Sequence, residues 1–145
     1  MGLKIVSLIG FLILVLAFAF LLRTHSLFGH GPISVGSQVA AVLLMLWARV
    51  TFGRRSFHAA ADPTAGGLVT AGPYRYLRHP IYAAVLLFML TGIVTNRTLT
   101  NALLGLVVIA AVSMRVVAEE RLMRARYPEY AEYSRRTKRL IPFVY

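Results

Sequence analysis

Three observations predict an all-α fold, an integral membrane bundle of four transmembrane helices with a C-terminal amphipathic helical tail. Hydrophobic residues make up 58% of the 145 and charged residues only 14%, whereas a soluble domain carries about a quarter charged residues. The apolar residues fall in long runs separated by short polar stretches. On a four-span path with both ends on one side, Arg23 and Arg97 fall in the outer loops and the other fourteen of the sixteen Lys and Arg lie at the inner side. That asymmetry sets membrane orientation and places both termini in the cytoplasm.

The expected unit is a single membrane domain, 1–145, with spans at about 4–22, 33–52, 79–95 and 98–118 and a cytoplasmic tail at 119–145. The first run, Ile5 to Leu22, has no charge and only Ser7 as a polar residue, long enough to cross about 30 Å of hydrocarbon. Lys4 before it resembles the start of a signal peptide. The run is long, however, Arg23 follows directly and no small-x-small cleavage site is present, so an uncleaved span is expected. Arg23 to Pro32 reads as a turn in which His25 and His30 lack further ligands for a metal.

The second span, Ile33 to Phe52, ends in Trp47 and Arg49, an amphipathic ring and a long cation suited to a membrane boundary. Gly53 to Ala71 reads as an interfacial loop or surface helix. It contains neither a G-x-G-x-x-G nor a GK[ST] sequence, so a dinucleotide or P-loop site is not supported. Pro80 suits the first position of the third helix, Thr91-Gly92 and Asn96-Arg97 mark a tight connection, and the third and fourth spans read as a hairpin. Asn96-Arg97-Thr98 matches a glycosylation acceptor pattern that is common by chance and here hugs the membrane. Beyond Glu119 the chain is basic, and Tyr127-Pro128 interrupts it before a short surface helix.

Zero cysteines exclude disulfides, thiolate metal sites and a cysteine nucleophile. A net charge of +11 raises the question of nucleic acid. The basic residues sit between and after apolar runs, which favours anionic lipid headgroups as partners and no nucleic acid. No metal is expected.

Polar chemistry is confined to two stretches. One is Gly72-Pro73-Tyr74-Arg75-Tyr76-Leu77-Arg78-His79-Pro80-Ile81-Tyr82, and the other is Arg115 to Arg121 with Glu119-Glu120 at its centre. Ionisable groups at a membrane boundary are costly unless paired and are functional candidates by default. If the last two spans form a hairpin, Glu119 and Glu120 stand beside Arg78, His79 and Tyr82.

This pair of motifs, with Tyr130-x-x-Tyr133 and Arg139-Leu140-Ile141-Pro142 after it, resembles the isoprenylcysteine carboxyl methyltransferase family and its relatives among phospholipid methyltransferases. The resemblance covers roughly residues 66–145 and implies an integral-membrane enzyme that uses S-adenosylmethionine, with the Arg-His-Pro and Glu-Glu motifs lining the cofactor pocket. Where the family commonly has a glycine two residues after the motif's tyrosine, this chain has Ala84, small enough for close helix packing.

That cofactor's chemistry suits the candidate residues. Arg78 or His79 can bind its carboxylate, Glu119 or Glu120 its ammonium or ribose, and Tyr74 or Tyr82 its adenine or sulfonium. Backbone at Gly72 can approach closely because glycine lacks a Cβ. Methyl transfer needs alignment and exclusion of water rather than a covalent nucleophile. A lipophilic carboxylate acceptor needs only an orienting cation, Arg75 or Arg115 with Glu119 nearby, whereas an amine or thiol needs a base such as His79 or a glutamate. Two rival readings are an NADPH-dependent membrane reductase of the steroid-reductase type and a non-catalytic protein that binds lipid or a partner.

Overall fold

The computed structural model describes residues 2–53 and 67–141, and among these there is no strand. The elements are α1 (Gly2–Arg23), α2 (Pro32–Phe52), a 3-10 turn (Gly72–Arg75), α3 (Pro80–Thr95), α4 (Leu99–Arg126) and α5 (Tyr130–Arg136). The interfacial loop expected at 53–71 falls mainly on 54–66, outside the described residues, as does Pro142 of the C-terminal sequence.

Helices α1, α2 and α4 are each long and apolar enough to cross a bilayer. Helix α3 is apolar but has only 16 residues, fewer than the roughly 20 of a typical spanning helix. Its start is fixed chemically. Pro80 occupies the first turn, where a missing N–H costs nothing, and His79 before it is held out of helical geometry at φ −128°, ψ 58°.

Helix α4 continues beyond Ala118, where the expected membrane span stops, to Arg126. Glu119 and Glu120 look like a boundary on a hydropathy scale. Their carboxylates meet partners on other elements, and the Glu, Arg, Leu, Met and Ala that follow are good helix formers. The helix stops at Tyr127, which is extended at φ −121°, ψ 106°, as expected for a residue preceding a proline.

Helix α4 packs along α1 and also against α3, and α3 packs along α2, so the expected α3–α4 hairpin is present. The core lies where α1, α3 and α4 meet, around Leu14, Leu21, Met89, Val108, Val112 and Val116. Helix α2 buries only Gln38, Ala41 and Ala48 and otherwise turns large apolar side chains such as Leu43, Leu46 and Val50 outward, which suits a helix bathed in lipid.

One end of the bundle is closed by an amide network of Gln38, which is buried, and Asn96, which is half-buried. Gln38 donates to Leu27 O (2.8 Å) and Phe88 O (3.1 Å) and accepts from Gly29 N. Asn96 Nδ2 lies within bonding distance of Ser26 O, Phe28 O and Gly92 O. The nitrogen of the apparent glycosylation acceptor therefore serves to fasten the connection between α1 and α2. All the ionisable groups of the two polar motifs gather at the opposite end.

Candidate functional site

The 3-10 turn sets the first motif in place. Gly72 has φ +55°, and a Cβ there would lie 2.5 Å from Thr51 Oγ1 at the end of α2, so only glycine lets the turn sit this close. Tyr74 is thereby carried inward and buried, while Arg75 and Tyr76 are left exposed. The following residues run extended against the C-terminal segment: Arg78 N donates to Lys138 O (2.7 Å), His79 N to Arg139 O (3.0 Å) and Lys138 N to Tyr76 O (3.0 Å).

The two glutamates have separate surroundings. Successive helical residues point about 100° apart, so neighbours in sequence do not share a face. Glu120 is buried, and its carboxylate is filled by arginines. Oε1 accepts from Arg78 Nε (2.9 Å) and Arg139 Nε (3.1 Å), and Oε2 from Arg139 Nη2 (3.1 Å) and Arg124 Nη2 (3.3 Å). The Arg139 pair is bidentate, the strongest geometry for such a contact. Arg78 Nη1 also donates to Ser134 O and Thr137 O, so one guanidinium staples the C-terminal segment to the first motif.

Glu119 accepts from the Tyr82 hydroxyl at Oε1 and lies 3.6 Å from Arg115 Nη2. Its Oε2 stands 3.6 Å from His79 Nδ1, an ion-pair distance too long for a hydrogen bond. Among the described residues Oε2 accepts no hydrogen bond. His79 is buried, with Nε2 3.6 Å from Glu120 Oε1 and likewise without a hydrogen-bond partner among the described residues. Burial pulls the imidazole pKa down, but the two glutamates outweigh it and the net shift is upward.

Arg115 ties this group to α1. It donates from Nε to Tyr82 (2.8 Å) and from Nη1 to Ser7 O (2.7 Å), and its guanidinium lies 5.3 Å from the ring centres of both Phe11 and Tyr82. Gly10 makes room for it, since a Cβ there would lie 2.8 Å from Arg115 Cγ and 3.0 Å from Ala111 O.

Around these residues is a cavity of about 390 Å³, within the range of small-molecule sites. Arg78, His79, Tyr82, Arg115 and Glu119 line one part, and Phe11, Leu14, Val15, Phe18 and Met45 another. Tyr74, Tyr127, Tyr130 and Tyr133 add an aromatic wall. Burial pushes the Tyr133 phenol up to about 12 and raises Tyr74 and Tyr130 as well, so all three stay neutral. The Tyr130 hydroxyl is buried without a hydrogen-bond partner among the described residues.

Of the candidate residues read from the sequence, Tyr74, Arg78, His79, Tyr82, Arg115 and Glu119 come together on the cavity, and three do not. Arg75 is exposed and lies outside the lining, because the turn directs it away from the bundle. Gly72 packs on Thr51 instead. Glu120 is spent on arginines and is likewise outside the lining. Arg139, named in the sequence reading within the Arg139-Leu140-Ile141-Pro142 run, is a partner of Glu120. The sequence reading missed the α1 face of Phe11, Leu14, Val15 and Phe18, the i, i+3, i+4, i+7 spacing of which was hidden in a uniformly apolar run. It also treated Arg49, which lines the cavity, as a boundary residue only. Among the described residues no three His, Cys, Asp or Glu side chains are gathered to hold a metal ion.

Comparison with known proteins gives the same direction as the geometry. The cobalt-zinc-cadmium resistance protein CzcN of Cupriavidus metallidurans is 38% identical over 76 residues, 52% of this chain and 35% of that protein. The nickel-cobalt-cadmium resistance protein NccN of Alcaligenes xylosoxydans xylosoxydans is 32% identical over 76 residues, 52% of this chain and 36% of that protein. The matched stretch thus spans about a third of these curated relatives. No solved structure matches significantly. The phospholipid methyltransferase family model matches residues 27–130, which take in most of the bundle, both polar motifs and Tyr130. The chain therefore belongs to the phospholipid methyltransferase family of integral membrane proteins.

Proposed function

We propose that the chain is an S-adenosylmethionine-dependent methyltransferase of the isoprenylcysteine carboxyl methyltransferase type, acting on a lipophilic carboxylate at the cytoplasmic face of the membrane. The observation that carries this reading is the division of one cavity between charged groups and hydrocarbon. Glu119 Oε2, His79 Nε2 and the Tyr130 hydroxyl are polar atoms left without hydrogen bonds among the described residues. That donor and acceptor set fits a zwitterionic nucleoside. Glu119 would hold the ammonium, Arg78 and His79 the carboxylate, and the tyrosine wall the adenine and ribose. Arg78 has Nη2 left for this, because its hydrogen bonds among the described residues use Nε and Nη1.

When bound, the cofactor supplies a methyl group already activated by its sulfonium. The chain's part is alignment, charge placement and exclusion of water. Arg115 fixes the Tyr82 hydroxyl, which in turn fixes Glu119, so the acid is oriented before any ligand arrives. Phe11, Leu14, Val15 and Phe18 offer an apolar acceptor a dry surface, and Arg49 and Arg115 supply the cations on the lining for its carboxylate. No proton need leave a carboxylate acceptor, so no general base is required. Cytoplasmic placement is supported by charge, since Arg23 and Arg97 are the only described Lys or Arg side chains at the end away from the cavity.

Calorimetry of the detergent-solubilised protein with S-adenosylhomocysteine tests the cofactor assignment. Micromolar binding is expected, lost in Glu119→Gln and His79→Ala. Binding of NADPH instead, or binding of S-adenosylhomocysteine unaffected by either change, would overturn it. Incubation with labelled S-adenosylmethionine and lipophilic carboxylates, amines or thiols then identifies the acceptor, and base-labile methyl ester is the expected product.

A further inference from the structure

A second hollow, of about 950 Å³, lies between α2 and α3 and shares no lining residue with the first cavity. Its walls are hydrocarbon, among them Leu44, Leu86, Leu87, Leu90 and Val94. Of its hydroxyls, Ser34 and Thr95 bond to each other (3.0 Å), and Thr91 and Thr95 bond back to Leu87 O and Thr91 O. The groove is therefore lined chiefly by hydrocarbon. It runs from Ile33 and Thr95 at one end of the helices to Trp47, Tyr76 and Leu77 at the other. Because α2 spans the bilayer, what reaches the groove from outside is lipid chain.

The rim at the Tyr76 end is charged. Arg75 ends the 3-10 turn immediately before the lining residue Tyr76, and the Lys138 backbone, whose N–H and C=O bond to Tyr76 O and Arg78 N, lies beside the lining residue Leu77. Both side chains are exposed. Neither makes an ion pair among the described residues, whereas Arg78, Arg124, Arg136 and Arg139 all pair with glutamates. Two unneutralised cations at the mouth of a hydrocarbon groove complement one class of molecule.

We propose that this groove is a binding site for an anionic glycerophospholipid, with an acyl chain along α2 and α3 and the headgroup phosphate at the rim carrying Arg75 and Lys138. The site is separate from the methyl-transfer cavity, and the inference rests on the membrane placement of the chain rather than on its chemistry. It also gives Arg75 a role that its position outside the catalytic cavity otherwise leaves open.

Trp47 lines the groove and is the only tryptophan in the chain, so brominated lipid at the groove quenches its fluorescence. The full chain is placed in nanodiscs of phosphatidylcholine doped with brominated phosphatidylglycerol, or with brominated phosphatidylcholine of the same acyl chains. With each of the two surface cations favouring an anionic headgroup, half-maximal quenching is expected at about thirtyfold lower mole fraction for phosphatidylglycerol. The double variant Arg75→Gln/Lys138→Gln, altered only at exposed side chains, should lose that preference and keep its quenching by brominated phosphatidylcholine. Equal quenching by the two lipids in the unaltered chain, or a preference that survives the double variant, would overturn the proposal. Trp47 shielded from both lipids would do so too, and would indicate that a second copy covers the groove. Binding of S-adenosylhomocysteine by the same variant reads the other cavity separately, so failure here leaves that assignment standing.

Discussion

The contrast between Glu119 and Glu120 gives the sharpest test of how the polar end works. In Glu120→Gln, the Arg78 guanidinium, 9% exposed, loses its anion while still fixed to two carbonyls. Breaking a buried pair by removing one partner costs about 3–5 kcal/mol. Arg139 and Arg124, 31% and 53% exposed, recover hydration and add little. Against a total stability of about 5–15 kcal/mol the loss is large, and the melting temperature in detergent should fall steeply. The folded fraction that remains should still bind S-adenosylhomocysteine, because Glu120 is not on the cavity. Glu119→Gln should behave in the opposite way. Its amide oxygen can still accept from Tyr82, so stability changes by about 1 kcal/mol, while loss of a charge-assisted bond to the ligand ammonium costs about 1.5–3 kcal/mol, roughly 10- to 150-fold in affinity. Paired melting and calorimetry on the two variants decide the matter. If Glu120→Gln melts with the unaltered protein yet fails to bind, and Glu119→Gln unfolds, the division of labour drawn from the geometry is wrong.

Three further outcomes follow from the same contacts. Gly10→Ala would press a methyl group to 2.8 Å from buried Arg115 Cγ and should destabilise the α1–α4 contact by about 1–3 kcal/mol, seen in thermal melting. Tyr82→Phe deletes the acceptor of Arg115 Nε and the donor to Glu119 and should cost about 1–3 kcal/mol of stability, with weakened S-adenosylhomocysteine binding in calorimetry as Glu119 loses its orientation. Because the folded-state pKa of His79 is raised, its contribution is fully present below about 6.5, the unfolded value, and is lost as pH rises through the folded value. Melting temperature should therefore decline as pH rises above neutrality, and His79→Gln should remove that decline.

Much of this site was legible because membrane chemistry leaves few alternatives. Charged side chains scarcely occur in the apolar runs, so Arg78, His79, Arg115 and the paired glutamates stood out, and hydropathy alone put them at one end of a hairpin. The continuation of α4 past the expected span has a related origin. Hydropathy marks where hydrocarbon stops, whereas a helix stops where its backbone can no longer continue, at Tyr127 before Pro128. The separation of Glu119 from Glu120 was available in principle from the 100° step between helical neighbours. Which of the two would face the cavity was not, because that depends on the rotation of α4 against α1 and α3.

The sequence by itself determined the solvent, the helical content, the family and the pairing of the two polar motifs, since each follows from local composition, spacing and the cost of an unpaired charge in lipid. Only the tertiary structure decided that Arg139 returns from the C-terminal segment to saturate Glu120, that Arg75 turns outward, and that α1 supplies the apolar wall. Those outcomes depend on distances between residues far apart in the chain, fixed by small contacts such as Gly10 on Arg115 and Gly72 on Thr51, which set how closely the helices approach.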